Sequence, residues 1–283
     1  MSKKALLIGI NYYDTPSASL KGCVNDVINM RNMLIDAYGY ESANITVLRD
    51  DAANTADKPT AANIVSKLAS IISQSASLQE IWIHYSGHGS QIMDRNGDEA
   101  DKRDEVIVPA DYLRAGLITD DMIFNIVKQS KCPTLLLFDS CNSGTICDLM
   151  WNFTSVSATR VRTVKTNKMT ITNPKIYCFS GCRDEQTSAD VYSTTSQQAC
   201  GAMTSAMIEC LRWNKHNTDI KKLYNDVVAF MIQNKMTQVP QLSSSSEVPV
   251  YQITRALSTG TNMTSYAAKS MAVRNIMKGV MRM

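Results

Sequence analysis

Ile81-Trp82-Ile83-His84-Tyr85-Ser86-Gly87-His88-Gly89 decides the fold. The first five residues read as a buried strand, and the glycines that follow break it into a turn carrying a histidine. Thr134 to Phe138 repeats the arrangement: a short apolar run with the composition of a fully buried strand, running out into Asp139-Ser140-Cys141-Asn142-Ser143-Gly144. Working outward, Ala5 to Ile10 is a third apolar run, closed by the turn-rich stretch Asn11 to Gly22. Val24 to Tyr38 places Val24, Val27, Ile28, Leu34, Ile35 and Tyr38 on one helical face and stops at Gly39. Ile45 to Leu48 reads as a strand, and Pro59-Thr60 opens a helix with Ile64, Leu68, Ile71 and Ile72 on its apolar side. Val106 to Val108 reads as an extra strand and Thr119 to Ser130 as a helix. The pattern resumes with a strand at Ile176 to Phe179 and helices near Gly201 to Trp213 and Asp219 to Asn234. Strands alternating with helices predict an α/β fold with a mainly parallel central sheet.

Composition removes several function classes. Apolar residues at 44% and charged residues at 19% of 283 exclude wholesale disorder. No apolar run approaches the roughly 18 residues of a membrane span. The opening Met-Ser-Lys-Lys and Ala5 to Ile10 imitate a signal peptide for a few residues, then meet Asn11-Tyr12-Tyr13-Asp14 without a cleavage-like end, so they read as a strand. A net charge of +3 is too weak for a dedicated nucleic-acid binder. Eight cysteines without paired spacing fit reduced thiols and a cytoplasmic location, and Cys132, Cys147, Cys178, Cys182, Cys200 and Cys210 read as buried or incidental. There is no phosphate-binding glycine loop and no dinucleotide fingerprint, so no organic cofactor is expected.

Open parallel sheets bind ligands beyond the carboxyl ends of their strands. Here a thiol, Cys141, and an imidazole, His88, follow two such ends. That is the minimum for nucleophilic catalysis, with the thiolate attacking and the imidazole handling the proton. His84 stands within its strand among Trp82 and Ile83 and reads as a packed core histidine. A zinc site built on His84 and His88 would need a helix and a catalytic Glu, and Ser86-Gly87 supports neither.

Tyr85-Ser86-Gly87-His88-Gly89 together with Phe138-Asp139-Ser140-Cys141-Asn142-Ser143-Gly144 resembles the catalytic signature of metacaspases, the caspase-like cysteine peptidases. Gly22-Cys23-Val24-Asn25-Asp26, Thr119-Asp120-Asp121, the stretch from Ser180 to Asp190 and Pro240-Gln241-Leu242-Ser243 extend the resemblance, in order, over residues 3–253. The resemblance implies a caspase-like three-layer sandwich and a type I-like enzyme without that group's Pro-rich amino-terminal extension. It makes Cys141 the nucleophile and His88 the general base and acid, with the backbone N–H groups of Gly89 and Cys141 forming the oxyanion hole. Cys23, Asp26, Ser86 and Asp139 match the family's pocket for a basic residue on the amino side of the cut bond. A carboxylate is a poor neighbour for a thiolate without a cationic partner, and a substrate Arg or Lys supplies one. In extended strands Asp139 would share the side of Cys141, and Ser86 that of His88. Asn142 departs from the family's usual His at that place.

Asp94, Asn96, Asp98, Asp101, Asp104 and Glu105 crowd one loop, with Asp120 and Asp121 beyond it. The loop resembles an EF-hand but has Glu99 where the turn requires Gly. Resemblance to calcium-activated metacaspases picks out Asp104, Asp120, Asp121 and Asp148 as ligands for an activating Ca²⁺. The rival reading is a solvated acidic loop with an Asp cap on the following helix.

The expected organisation is one peptidase domain over residues 1–257, with a large-subunit-like part (1–148), a connection (149–173) and a small-subunit-like part (174–257). A basic, Met-rich tail follows at 258–283. The connection has no acid between Asp148 and Asp184 but carries Arg160, Arg162, Lys165 and Lys168, so it reads as an exposed segment and a self-cleavage target. Its Val156, Val161, Val164 and Ile171 allow a hairpin instead. The expected partners are protein or peptide substrates with Arg or Lys before the cut bond, and by resemblance the enzyme is a monomer. Two rivals are an inactive caspase-like scaffold and a membrane- or partner-binding module built on the tail.

Overall fold

The computed structural model describes residues 1–93, 103–140, 146–147, 149–157, 160–166, 171–181, 190–193, 198–236 and 238–256. The nucleophile candidate Cys141, the calcium-ligand candidate Asp148, the acidic residues 94–101, Lys168 and the tail 258–283 lie outside the described residues.

The chain begins with β1 (Ser2–Gly9), α1 (Cys23–Tyr38), β2 (Ile45–Arg49), α2 (Ala61–Ser73) and β3 (Leu78–Ser86). A small antiparallel unit follows, made of β4 (Gly89–Met93), β5 (Arg103–Ile107) and, after the short α3 (Tyr112–Ala115), β6 (Ile118–Thr119). Then come α4 (Asp120–Val127), β7 (Thr134–Asp139), β8 (Trp151–Ser157), β9 (Arg160–Lys165) and β10 (Ile176–Ser180). The last part holds β11 (Asp190–Ser193), β12 (Gln198–Gly201), α5 (Ala202–Trp213), β13 (Thr218–Asp219), α6 (Ile220–Gln233), β14 (Gln241–Ser244) and β15 (Gln252–Ile253).

The main sheet has the order β2-β1-β3-β7-β10-β14-β8-β9. The first five of these strands run parallel, and β14, β8 and β9 continue the sheet antiparallel. Alternation along the strands sends side chains to two cores. Leu7, Trp82, Leu135, Leu137 and Phe179 meet α1, α5 and α6 on one face. Leu6, Ile8, Ile83, Leu136 and Phe138 meet α2 and α4 on the other. This is the expected three-layer α/β sandwich with a mainly parallel sheet. The helices start and stop where local chemistry directs: Thr60 Oγ1 accepts from Asn63 N–H at the start of α2, and α1 ends at Gly39, whose backbone is left-handed at φ 69°.

In the stretch after residue 149, β8 (Trp151–Ser157) and β9 (Arg160–Lys165) pair antiparallel, as the hairpin reading expects, while residues 161–166 are exposed, as the other reading expects. Arg162 pairs with Thr154 and Lys165 with Trp151, and β8 pairs in turn with β14. Val161 and Val164, three residues apart and so on opposite faces of the strand, are each 38% exposed, and β9 is an exposed edge strand of the main sheet. The backbone of β9 is held by its ladder to β8, not by burial of its valines. Among the described residues no helix is long and apolar enough to cross a membrane.

Candidate active site

The site lies at the carboxyl edge of the parallel strands. Gly9, Ser86 and Asp139 sit side by side in register on β1, β3 and β7. Ser180 pairs with Phe138, which brings Gly181 next to Asp139 in the same row. The carboxyl ends of neighbouring parallel strands are where such sheets bind ligands.

The first turn of α1 is lowered onto this row. A Cβ on Gly9 would stand 2.6 Å from the carbonyl oxygen of Cys23, so only glycine permits the approach. The helix start has no cap of its own; Asn11 supplies one from a distance, its Oδ1 accepting from the N–H groups of Cys23 (3.0 Å) and Val24 (3.3 Å). Cys23 and Asp26, three residues apart, share a helix face, and both are buried. Asp26 reaches Ser86, whose Oγ–H donates to Oδ2 at 2.6 Å. Both carboxylate oxygens of Asp26 also accept from the N–H of Gly201, each at 3.0 Å.

Asp139 is tied to the same segment. Its Oδ2 accepts from the N–H of Thr204, in the first turn of α5, at 2.7 Å. That placement is stabilising, because a carboxylate there meets the positive end of a helix. A Cβ on Gly201 would fall 2.1 Å from Asp139 Oδ2, so glycine is required where two carboxylates crowd one backbone position. Asp26, Ser86 and Asp139 are all under 5% exposed. Cys23, Asp26, Ser86 and Asp139 are therefore brought together at one edge of the sheet.

His88 is held by groups the sequence did not single out. The β3 alternation ends at Ser86, so a turn and not strand geometry places the imidazole. Its ring lies 4.6 Å from that of Tyr12, centroid to centroid. The His88 backbone N–H donates to Tyr12 Oη at 2.9 Å, and Tyr85 Oη–H donates to the His88 carbonyl at 2.7 Å. Burial, with Tyr85 alongside, pushes the Tyr12 phenol well above its ordinary range, so it stays a neutral donor and donates to the Val108 carbonyl at 2.7 Å. Tyr12 holds this place with φ at 56°, a conformation ordinary for glycine and unusual for tyrosine. His88 Nε2 is 2.7 Å from the carbonyl oxygen of Ala18. A carbonyl only accepts, so Nε2 donates to it, and Nδ1 is the ring nitrogen left to exchange a proton. Gly89 opens β4 directly after His88.

His84 is fully buried, as expected of a core histidine. Burial lowers its pKa to about 3, so it is neutral. Its Nε2 lies 3.0 Å from Thr204 Oγ1, and among the described residues its Nδ1 has no hydrogen-bond partner. His84 is thus linked through Thr204 to Asp139, a role its position in the strand did not reveal.

Of the acidic residues beyond β4 that are described, Asp104, Glu105 and Asp120 are buried and Asp121 is partly so. Asp104, Glu105 and Asp120 are each under 8% exposed. Asp120 accepts from the backbone N–H of Glu105 at 2.9 Å and of Asp121 at 2.8 Å. Thr119, not an aspartate, provides the cap of α4, accepting from Met122 N–H. Among the described residues no three His, Cys, Asp or Glu side chains converge as a metal cage.

The family model described as Metacaspase, peptidase C14 domain, matches residues 3–150, the span that carries β1 to β7 and the His88 turn. The chain belongs to the metacaspase family. Metacaspase-1A of Neurospora crassa is 33% identical over 88% of this chain and 64% of its own length. Metacaspase-1B of Aspergillus oryzae is 36% identical over 86% of this chain and 68% of its own. The chain therefore spans about two thirds of the length of these metacaspases. Among solved structures, caspase-1 from Spodoptera frugiperda matches with a TM-score of 0.55 at 13% identity over 88% of each chain. Protein GSU0716 from Geobacter sulfurreducens matches at 0.60 and 20% identity over 87% of this chain and 94% of its own. At such identities the likeness establishes the fold, which is caspase-like.

Proposed function

We propose that the chain is a cysteine endopeptidase that cleaves peptide bonds after Arg or Lys. The observation that carries this reading is the convergence of buried Asp26, from α1, on the buried row of Ser86 and Asp139 beside the turn that holds His88. Two buried carboxylates demand a cation or many donors, and a substrate's basic side chain supplies both charge and N–H groups. Membership of a peptidase family supports protein substrates and a thiol nucleophile.

In this mechanism His88 Nδ1 takes the proton of the Cys141 thiol, and the resulting thiolate attacks the carbonyl carbon of the bond being cut. The developing oxyanion is stabilised by the backbone N–H groups of Gly89 and Cys141. Collapse expels the amine, which takes its proton from His88 Nδ1, while the Ala18 carbonyl keeps Nε2 protonated and the ring oriented. Water, deprotonated by the same nitrogen, then attacks the thioester, freeing the acid product and the thiol.

Ca²⁺ promotes the reaction in this proposal, held by Asp104, Asp120, Asp121 and Asp148. The donor set fits a hard cation: it is all oxygen, and the buried Asp104 and Asp120 gain from neutralisation. Self-processing in the 160–168 stretch belongs to the same reading.

The test is hydrolysis of matched peptides with Arg, Lys or Asp before the scissile bond, with wild type, Cys141→Ala and His88→Ala. Cleavage after Arg and Lys that vanishes in both variants is the expected result. Preference for Asp overturns the pocket, and wild-type-like rates in Cys141→Ala overturn the mechanism.

A further inference from the structure

The antiparallel pairing of β14 with β10 has a consequence at the edge of the pocket. Ser180 pairs with Gln241, so the residues just before β14 lie beyond the end of β10, alongside Gly181. Gln238 is one of them. It is 3% exposed, and neither Nε2 nor Oε1 has a hydrogen-bond partner among the described residues. A Cβ placed on Gly181 would be 3.7 Å from Asp139 Oδ1 and 3.7 Å from Gln238 Oε1. The two oxygens therefore face the same point above Gly181, one on a carboxylate and one on an amide, with Met203 Cβ nearer still at 3.1 Å.

A buried primary amide with both ends unmade is costly, because each unsatisfied group keeps its full desolvation penalty. Native proteins carry few such groups, and those they carry tend to be completed by a ligand or to serve a site. The ligand that completes Oε1 must bring an N–H while Asp139 takes its share of the charge. An ammonium is a compact point charge with three donors, and it can sit against the carboxylate without reaching further. A guanidinium has five N–H donors spread over a rigid planar fork, so it can serve Asp139 and a second acceptor at once. It has no acceptor, so Gln238 Nε2 is left to a peptide carbonyl or water.

We propose that Gln238 is a substrate-contacting residue of this pocket, its side-chain carbonyl accepting a hydrogen bond from a substrate guanidinium and favouring Arg over Lys before the cut bond. The proposal rests on the basic-residue pocket described under the proposed function. Asp139 provides the attraction to positive charge, and Gln238 reads its shape. Gly181 puts no side chain between them, where a Cβ would already press on Met203.

The experiment compares kcat/KM for two peptides differing only in Arg or Lys before the scissile bond, using wild type, Gln238→Met and Gln238→Asn, with thermal unfolding in parallel. Methionine fills the same volume without the unmade amide, so Gln238→Met is expected to fold with an unchanged or raised Tm. The loss on the Arg peptide should exceed the loss on the Lys peptide by about tenfold, expressed mainly in KM, as expected for one charge-assisted hydrogen bond. Asparagine keeps the amide but withdraws it by one methylene, and should lower the ratio in the same direction. A basic-residue preference whose Arg-to-Lys ratio is unchanged in either folded variant overturns the role of Gln238 alone. A wild type with no preference for basic residues overturns the pocket reading, and this proposal with it.

Discussion

Ser86 at the end of β3 donates a 2.6 Å hydrogen bond to Asp26 in α1, sixty residues earlier in the chain. The same carboxylate takes the N–H of Gly201, 175 residues later. One buried side chain thus ties together the first helix, the histidine-bearing strand and the segment leading into α5.

Removing that tie should cost stability as well as activity. Asp26→Ala leaves the Ser86 hydroxyl and the Gly201 N–H without their acceptor, at about 1–3 kcal/mol for each buried group left unpaired. Ser86→Ala removes one donor and should cost less. Urea unfolding measures the difference; equal losses in the two variants would contradict the shared-acceptor arrangement.

Gly201 tolerates no side chain. A methyl group 2.1 Å from Asp139 Oδ2 must displace either the carboxylate or the start of α5. Gly201→Ala is expected to destabilise by about 1–3 kcal/mol and to raise KM for basic peptides well beyond that of Gly116→Ala, where nothing lies within 4 Å. Similar KM values in the two variants would refute the crowding.

Acid should unfold the protein in a window set by two buried histidines. Burial holds His84 down to about 3, and burial with Arg255 and Arg212 nearby holds His216 down to about 4, from 6.5. As pH falls below 6.5 the unfolded chain binds protons that the fold refuses, so stability is greatest above that value and is lost toward pH 4. Each histidine contributes a slope of up to about 1.4 kcal/mol per pH unit. His216→Gln should flatten the dependence of unfolding free energy on pH between 6.5 and 4, and an unchanged slope would show that His216 titrates freely in the fold.

Calcium should act through Asp120. Asp120→Ala removes a proposed ligand and also the acceptor for the N–H groups of Glu105 and Asp121. Asp121→Asn, which keeps size and polarity, is the milder partner variant. Both are expected to weaken calorimetric Ca²⁺ binding at least tenfold and to blunt calcium stimulation of peptide hydrolysis. Stimulation at wild-type calcium concentrations in both variants would misplace the site.

Self-cleavage has to contend with an edge strand. Arg162 and Lys165 are paired with β8 on one side, and β9 ends the main sheet on the other. An edge strand opens at lower cost than a central one, so nicking at 160–168 is expected to be slower than cleavage of a free peptide of the same sequence. Mass spectrometry of new termini after incubation with Ca²⁺ checks this. Fragments that also form with Cys141→Ala would assign the cut to another protease.

Much of this was legible along the chain. Alternation and helix-period patterns marked the parallel strands and α1, α2 and α4, because each element buries its own apolar face whatever its neighbours are. The turn after β3 announced itself by Gly87 and Gly89 on either side of His88. The sequence by itself thus determined the layered α/β architecture and the residue types at the strand ends. Only the tertiary structure decided which distant groups complete them. Asn11 capping α1, Tyr12 and the Ala18 carbonyl holding His88, Thr204 on Asp139 and Gln238 beside Gly181 have no periodic signature. Hydrogen bonds between segments depend on where whole strands and helices come to rest, and that is fixed by the packing of the two cores, not by local propensity.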